Sequence, residues 1–480
     1  MNRKFCAFVV LLAASSSSIA ACSGKDVLQN PNGRYLLPHD GPKRNPNDCC
    51  SFIGDNDFPL LGFMPMPSAN VMDNMAVADN PSCINYSAFQ LYKDAGFNYV
   101  TPCYTREGFQ TPDVHKSMKI CNDLKLGYLV NDPVFKGDSL NGTVQPLSVE
   151  EYKTQMETKW YFNEPCFAGL SVKDEPTLKD FDMLGNISNA LLEVDPSKLM
   201  FCTILPSYAP DEMLQIEEYR KTMSHWEAYQ RYTEDYITKT NSQIVSFDYY
   251  LNHVFKMPIE GVYSEDFLLN LSYFASICKT YNIDYWAYAA AYGHGGRAQY
   301  TSEELKWIVN TQLAFGAKGM VYYTYWSIIP GYKMADWINP TRSGLVTGNG
   351  IPHDTYFIIK DINKNIHAIE EILKPSEFVC VAQYGDKKLN ISPDVEVNTY
   401  SPIYNISGGD ALVGIFNNNN KKVFYIINNS INCGIKTFKV SLTSKKNIHL
   451  LNSSIDKNID DSYCASFNLS AGEAVLMEVE

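Results

Sequence analysis

The sequence predicts an α/β chain: a (β/α)8 barrel followed by a small all-β domain. Three observations predict it. From about residue 56 to 375, short apolar runs alternate with helical segments, which is the mark of parallel βα units. Eight such runs fit in about 270 residues, the size of a (β/α)8 barrel. From about residue 376 onward, short β-rich runs alternate with Asn, Gly, Asp and Ser turns, as in a sandwich.

The eight strand candidates are 60–64, 99–102, 127–131, 169–173, 200–205, 244–248, 285–290 and 319–323. Helical stretches at 86–95, 114–124, 178–194, 267–281, 302–315 and 356–373 fall between or after them. Gly96 and Gly316 stand where helix C-caps are needed. Thr301-Ser302-Glu303-Glu304 is a helix start signal. In the C-terminal region the runs are 411–416, 423–427, 437–440 and 474–479, and Asn417–Asn420 before Lys421-Lys422 reads as a hairpin turn.

The first residues read as an address. Arg3 and Lys4 precede an apolar run, 5–14, and then a small-residue passage ending Ile19-Ala20-Ala21-Cys22. Residues 1–21 are therefore expected to be a signal peptide and 22–55 an irregular lead-in, ahead of a barrel at 56–375 and a β-sandwich at 376–480. Two readings of the leader stay open. One is plain cleavage near Ala20 or Ala21, giving a secreted protein. The other is a lipobox-like site, with lipid on Cys22 anchoring the chain at the cell surface.

With 40 basic against 53 acidic residues, a net charge of −13 and no basic cluster, neither nucleic acid nor an anionic membrane is an expected partner. Among the 13 cysteines, Cys49-Cys50 is the notable feature. In an exported chain some cysteines should pair, and adjacent ones usually bond to different partners. No C-x-x-C pair occurs and the 8 His are scattered, so no metal or cofactor is expected. Asn-x-Ser/Thr sequons recur in this Asn-rich chain, Asn85 and Asn141 among them.

Barrel active sites lie at the C-terminal strand ends. Here those ends carry carboxylates and aromatic rings, with few cations and no evident Ser-His or Cys-His pair. Carboxylates beside aromatic faces suit glycosidic bond cleavage, in which one acid protonates the leaving oxygen. Glu175, in Val172-Lys173-Asp174-Glu175-Pro176 after the fourth strand, is the candidate general acid. Shelter and a neighbouring carboxylate should raise its affinity for a proton. Asp174 and Asp248 are the other catalytic candidates. Asn131, Asp132, Tyr249, His294, Tyr325 and Trp326 are candidate substrate contacts.

The run Gly169-Leu-Ser-Val-Lys-Asp-Glu-Pro176 resembles the fourth-strand motif of barrel glycoside hydrolases in the clan containing the family 42 β-galactosidases. The runs Phe315-Gly-Ala-Lys-Gly-Met-Val-Tyr-Tyr-Thr-Tyr-Trp326 and Ser246-Phe-Asp-Tyr-Tyr250 resemble that group's eighth and sixth strands, and the whole is similar to family 42-like hydrolases of gut bacteria. The resemblance implies an O-glycosyl hydrolase with Glu175 as acid/base, an oligo- or polysaccharide substrate and a β-galactosidase-like activity. One departure stands out. The clan carries its nucleophilic Glu at the end of the seventh strand, and here Tyr285-Trp-Ala-Tyr-Ala-Ala-Ala-Tyr-Gly-His294 brings no acid. The second role then falls to Asp248 or Asp132, or to an Asp174-Glu175 pair resembling that of substrate-assisted family 20 hexosaminidases. A non-catalytic carbohydrate-binding protein on the same scaffold is the remaining alternative.

Overall fold

A computed structural model describes residues 43–67, 83–101, 111–135, 146–251, 265–291, 300–327, 344–451, 457–460 and 463–480. The expected leader, Cys22, most of the lead-in and His294 lie outside these residues.

Eight parallel strands close into a barrel in sequence order: β1 Leu60–Gly62, β2 Tyr99–Val100, β3 Gly127–Val130, β4 Phe167–Asp174, β5 Leu199–Ile204, β6 Ile244–Phe247, β7 Asp284–Ala290 and β8 Gly319–Tyr323. Each overlaps its sequence-predicted run. β1 and β8 pair through Leu60–Met320, Leu61–Val321 and Gly62–Tyr322, which closes the ring. Strands of this kind are buried on both faces, so they read as continuous apolar runs. Trp286 of β7 fills the barrel interior between Tyr99 of β2 and Phe201 of β5, with ring centroids 5.5 and 5.9 Å away.

The helices Tyr86–Asp94, Thr111–Leu124, Phe181–Val194, Glu265–Tyr281, Ser302–Ala314 and Asp354–His367 match the predicted ones. Gly96, at φ +87°, ends the first of them, where an added Cβ would stand 2.9 Å from Asn363 Cβ. Two further helices, Val149–Glu157 and His225–Thr240, have no counterpart in the sequence reading. Both begin with capping boxes, Ser148 with Glu151 and Ser224 with Glu227. The Ser-x-x-Glu spacing was legible, but their polar and tyrosine-rich composition blurs the apolar stripe.

The C-terminal region forms two sheets. The six-stranded one runs Glu396–Val397, Glu377–Tyr384, Ala411–Asn418, Lys421–Asn428, Ala474–Val479, Ile448–Leu451. The four-stranded one runs Ile403–Ser407, Lys436–Leu442, Cys464–Leu469, Lys457–Asp460. The predicted hairpin is present, turning at Asn419 with φ 54°. Phe424, Phe438, Phe467 and Met477 belong to the buried cluster of this region. The six-stranded sheet leans on the barrel helix Ser302–Ala314. There Trp307 Nε1 donates to Asn429 Oδ1 (2.9 Å) and the Tyr425 hydroxyl donates to Asn310 Oδ1 (2.6 Å).

The expected bonding of Cys49 and Cys50 to other cysteines is not seen. Both are free thiols, buried against Tyr99 Oη (3.3 Å) and Pro165 O (3.5 Å) respectively. Their hydrogen-bonding neighbours are a phenol and a backbone carbonyl. Among the described residues no helix is long and apolar enough to cross a membrane.

β4 is the strand that carries the candidate site, and it is irregular. Its register shifts against β3 between Tyr128 and Leu129, and against β5 between Ser171 and Lys173. Bulges of this kind bend a strand and re-aim its side chains. Gly169 makes the first part of that path possible. Its φ is +148°, and an added Cβ would fall 2.0 Å from the Leu199 carbonyl oxygen of β5. Gly169→Ala is expected to destabilise the fold by about 3 kcal/mol or more, through overpacking and backbone strain together. Chemical denaturation of the variant checks this; a loss under about 1 kcal/mol would contradict the close approach.

Candidate active site

At the mouth of the barrel, the end of β4 is pinned from several sides. Asp174 pairs in register with Thr203 of β5. The Glu175 N–H then donates to the Thr203 carbonyl at 2.8 Å. The Pro176 carbonyl accepts from the Tyr232 hydroxyl at 2.7 Å. Thr177 and Asp180 form a capping box that opens the next helical turn, and Lys173 Nζ stands 3.3 Å from Asp180 Oδ1. Between these anchors Glu175 takes φ 50°, the left-handed region that non-glycine residues enter at a cost. The expected shelter for Glu175 is not what this conformation gives, because Asp174 and Glu175 are both exposed at the mouth.

The sheltered carboxyl is Asp248, the residue after β6. It is 7% exposed, and its Oδ1 has no hydrogen-bond partner among the described residues. Burial pushes its proton affinity well above the ordinary Asp range. The nearby carboxyls of Glu175 and Asp174 push the same way. The structure therefore brings together all three predicted catalytic carboxyls, Asp174, Glu175 and Asp248.

Aromatic side chains enclose them. Tyr288 of β7 shares a 2.7 Å hydrogen bond with Thr203 Oγ1. Its ring meets Phe63, just after β1, at 6.1 Å and Tyr250 at 6.2 Å. Tyr323, the last residue of β8, lies 5.8 Å from Phe63 and 5.5 Å from Tyr250. Burial raises the phenol pKa values of Tyr208, Tyr250 and Tyr288, and the nearby carboxylates add to the rise, so these rings stay neutral. The loop after β5 is braced by His225. Its Nδ1 lies 2.6 Å from Asp211 Oδ1 and its Nε2 lies 2.7 Å from the Ser207 carbonyl oxygen. This fixes the backbone next to Tyr208, whose hydroxyl accepts from the Tyr250 N–H at 3.4 Å.

The predicted substrate contacts are more scattered. Asn131 Nδ2 donates to the Ser171 carbonyl (3.0 Å) and so props β4. Asp132 is buried and already partnered. It accepts from the Tyr161 hydroxyl at 2.9 Å and from the Val134 N–H at 3.0 Å, and Lys159 Nζ stands 2.9 Å away. With those partners it is engaged in holding the turn after β3 rather than joining the carboxyl group at the mouth. Tyr249 is buried between Tyr208 and Phe267. Tyr325 is fully buried, edge-on to Tyr92 at 4.7 Å and to Phe97 at 5.7 Å, so its ring has no face to offer a sugar. Trp326 is 5% exposed, with its Nε1 donating to the Gly348 carbonyl at 3.2 Å.

The rings grouped beside the carboxyls are Phe63, Tyr250, Tyr288 and Tyr323, not Tyr325 and Trp326. One signal for Tyr288 was available. Trp286 and Tyr288 alternate along β7, so both point to the same face, the barrel interior. Among the described residues no group of three or more His, Cys, Asp or Glu side chains could hold a metal ion.

Replacing Glu175 with Gly removes the left-handed penalty at that position. The variant is expected to be no less stable than the wild type and up to about 1 kcal/mol more stable, as residues held in strain for function often are. A thermal melt checks this; a clear loss of stability would show that the Glu175 side chain holds the fold together.

No family model matches the chain, and no curated protein does. Solved structures similar to it include a glucosidase from Croceicoccus marinus (8% identity, 86% of this chain and 80% of that one, TM-score 0.40). An exo-β-1,4-mannosidase from Opitutaceae bacterium strain TAV5 is similar at 13% identity over 64% of this chain and 59% of that one, TM-score 0.44. A β-galactosidase from the Antarctic haloarchaeon Halorubrum lacusprofundi is similar at 11% identity, 64% and 58%, TM-score 0.40. The chain thus spans less than two thirds of the mannosidase and of the β-galactosidase.

Proposed function

We propose that the chain is an exported glycoside hydrolase that cleaves an O-glycosidic bond at the mouth of its barrel, with a β-galactoside-like substrate and Glu175 as the general acid/base. The observation that carries this reading is the meeting of Glu175 with Asp248 beside Asp174, inside a wall of aromatic rings. Half-buried Phe63 and Tyr323 offer apolar ring faces next to the carboxyls, as sugar recognition needs. The leader of the sequence supports export, with plain cleavage or lipid on Cys22 as its two forms.

The chemistry follows from the carboxyls. Glu175 delivers a proton to the glycosidic oxygen as the C–O bond breaks, and a carboxylate at the mouth stabilises the positive charge left on the sugar ring. An inverting pair stands about 6.5–9.5 Å apart to hold a water between its members. A retaining pair stands only about 5–5.5 Å apart, so the separation of Glu175 from Asp248 decides whether Asp248 could activate a water. A second reading is substrate-assisted hydrolysis. It is favoured by Asp174, which is exposed next to Glu175 and able to orient a substrate acetamido group.

The test is hydrolysis of a panel of aryl glycosides, N-acetylhexosaminides included, by the wild type and Glu175→Gln. The wild type is expected to turn over at least one member. The variant should lose about 100-fold or more in kcat on it, the usual weight of a general acid. Inertness of the wild type across the panel, with glycan binding retained, would support a carbohydrate-binding protein instead.

A further inference from the structure

We propose that the bottom of the barrel, at the opposite end from Glu175, holds a binding site for a phosphate group. The site is a cavity of about 510 Å³ where the strand starts meet residues 43–46 and the strand Glu377–Tyr384. That volume lies in the range of small-molecule sites, about 300–1,000 Å³. Three residues on its wall come from different elements. Asp284 is the first residue of β7, Lys318 stands just before β8, and Lys374 follows the short helix Glu370–Leu373.

Charge does not balance in this cavity. Asp284 is its buried carboxylate among the described residues, and two lysines share it. Lys43 Nζ lies 2.5 Å from Oδ1 and Lys374 Nζ 2.7 Å from Oδ2. Lys318 is buried as well, and its partners are neutral. Its Nζ donates to the carbonyls of Leu373 (2.7 Å) and Ser376 (2.5 Å). An ammonium has three donors, which leaves one for the cavity. The Phe416 ring, 5.5 Å away, is a weak neighbour. Arg44 and Lys279 also line the cavity, opposite two exposed acids, Asp55 and Glu377. Three lysines against one buried carboxylate, or five cations against three acids over the whole lining, both leave an excess of two positive charges.

Like charges gathered out of water are costly unless a counter-charge meets them. Burial pulls the Lys318 ammonium down to about 7, and Lys374 and Lys43 add to the fall against the pull of Asp284 and Glu377. A network that served only to fasten the barrel to its neighbours would end in balance. A phosphate group carries close to two negative charges at neutral pH and several strong acceptor oxygens, which matches the excess. Buried Lys318 and half-exposed Lys43 are its expected partners, the first through its remaining donor and the second from the solvent side.

Thermal melts of the full chain at neutral pH and constant ionic strength test this, with inorganic phosphate, glucose 6-phosphate and chloride as the three arms. At about 10 mM, inorganic phosphate or glucose 6-phosphate should raise Tm by about 2 °C or more over chloride. A rise with both supports a site for the phosphate group itself. A rise with the sugar phosphate alone supports the same site with the sugar contributing. No rise over chloride with either would overturn the proposal. Isothermal titration of the compound that binds then locates it. Lys318→Met should weaken binding about tenfold or more, the weight of one hydrogen bond to a charged group. Undiminished binding in the variant would put the anion elsewhere and overturn the proposal as well. Lys43→Gln, at a half-exposed position, carries the same comparison should the Met variant not fold. Turnover of glycosides does not enter, so the outcome is independent of the hydrolase reading.

Discussion

A carboxyl buried beside two other carboxyls is costly to ionise, and the mouth of this barrel holds one. Asp248 is the buried one, with Asp174 and Glu175 exposed beside it. An ionised carboxylate in Asp248's position would pay for desolvation and for two anionic neighbours. A neutral acid there pays neither. The enclosing tyrosines fit the same logic, since neutral phenols in an apolar wall neither compete for the proton nor compensate a second charge.

The backbone that brings the two carboxyls together is itself strained and braced. β4 is bulged, approaches β5 closely at Gly169, and ends in a left-handed Glu175. The Thr203 carbonyl, the Tyr232 hydroxyl and the Thr177–Asp180 capping box hold that conformation. Strain maintained by this many independent contacts is what functional sites show, and it is absent from an ordinary strand-to-helix turn. Neighbouring strands keep regular registers, as β6 to β7 does from Ile244 through Phe247.

Much of this architecture was legible in the sequence, because apolar runs and helix signals alternate at barrel spacing. The position of the three candidate carboxyls at the mouth was legible too, since each follows an apolar strand run and strand ends point there. Three things were not. Which carboxyl is buried and which is exposed depends on the fold, and a positive φ at residue 175 cannot be read from a Glu-Pro dipeptide. The roles of Tyr325 and Trp326 were misplaced, because the chain turns after Tyr323. That turn leaves Tyr325 among Tyr92 and Phe97 and holds Trp326 against the loop at Gly348. Asp132 looked like its fellow acids until Lys159 and Tyr161, distant in sequence, were seen to engage it.

The claim that binds these observations is that the buried Asp248 carries a proton at neutral pH. Difference infrared spectroscopy of the wild type against Asp248→Asn at pH 7 reads it directly. A protonated-carboxyl stretch present in the wild type and missing from the variant is the predicted result. A wild-type spectrum with only ionised carboxylates at pH 7 would contradict the account.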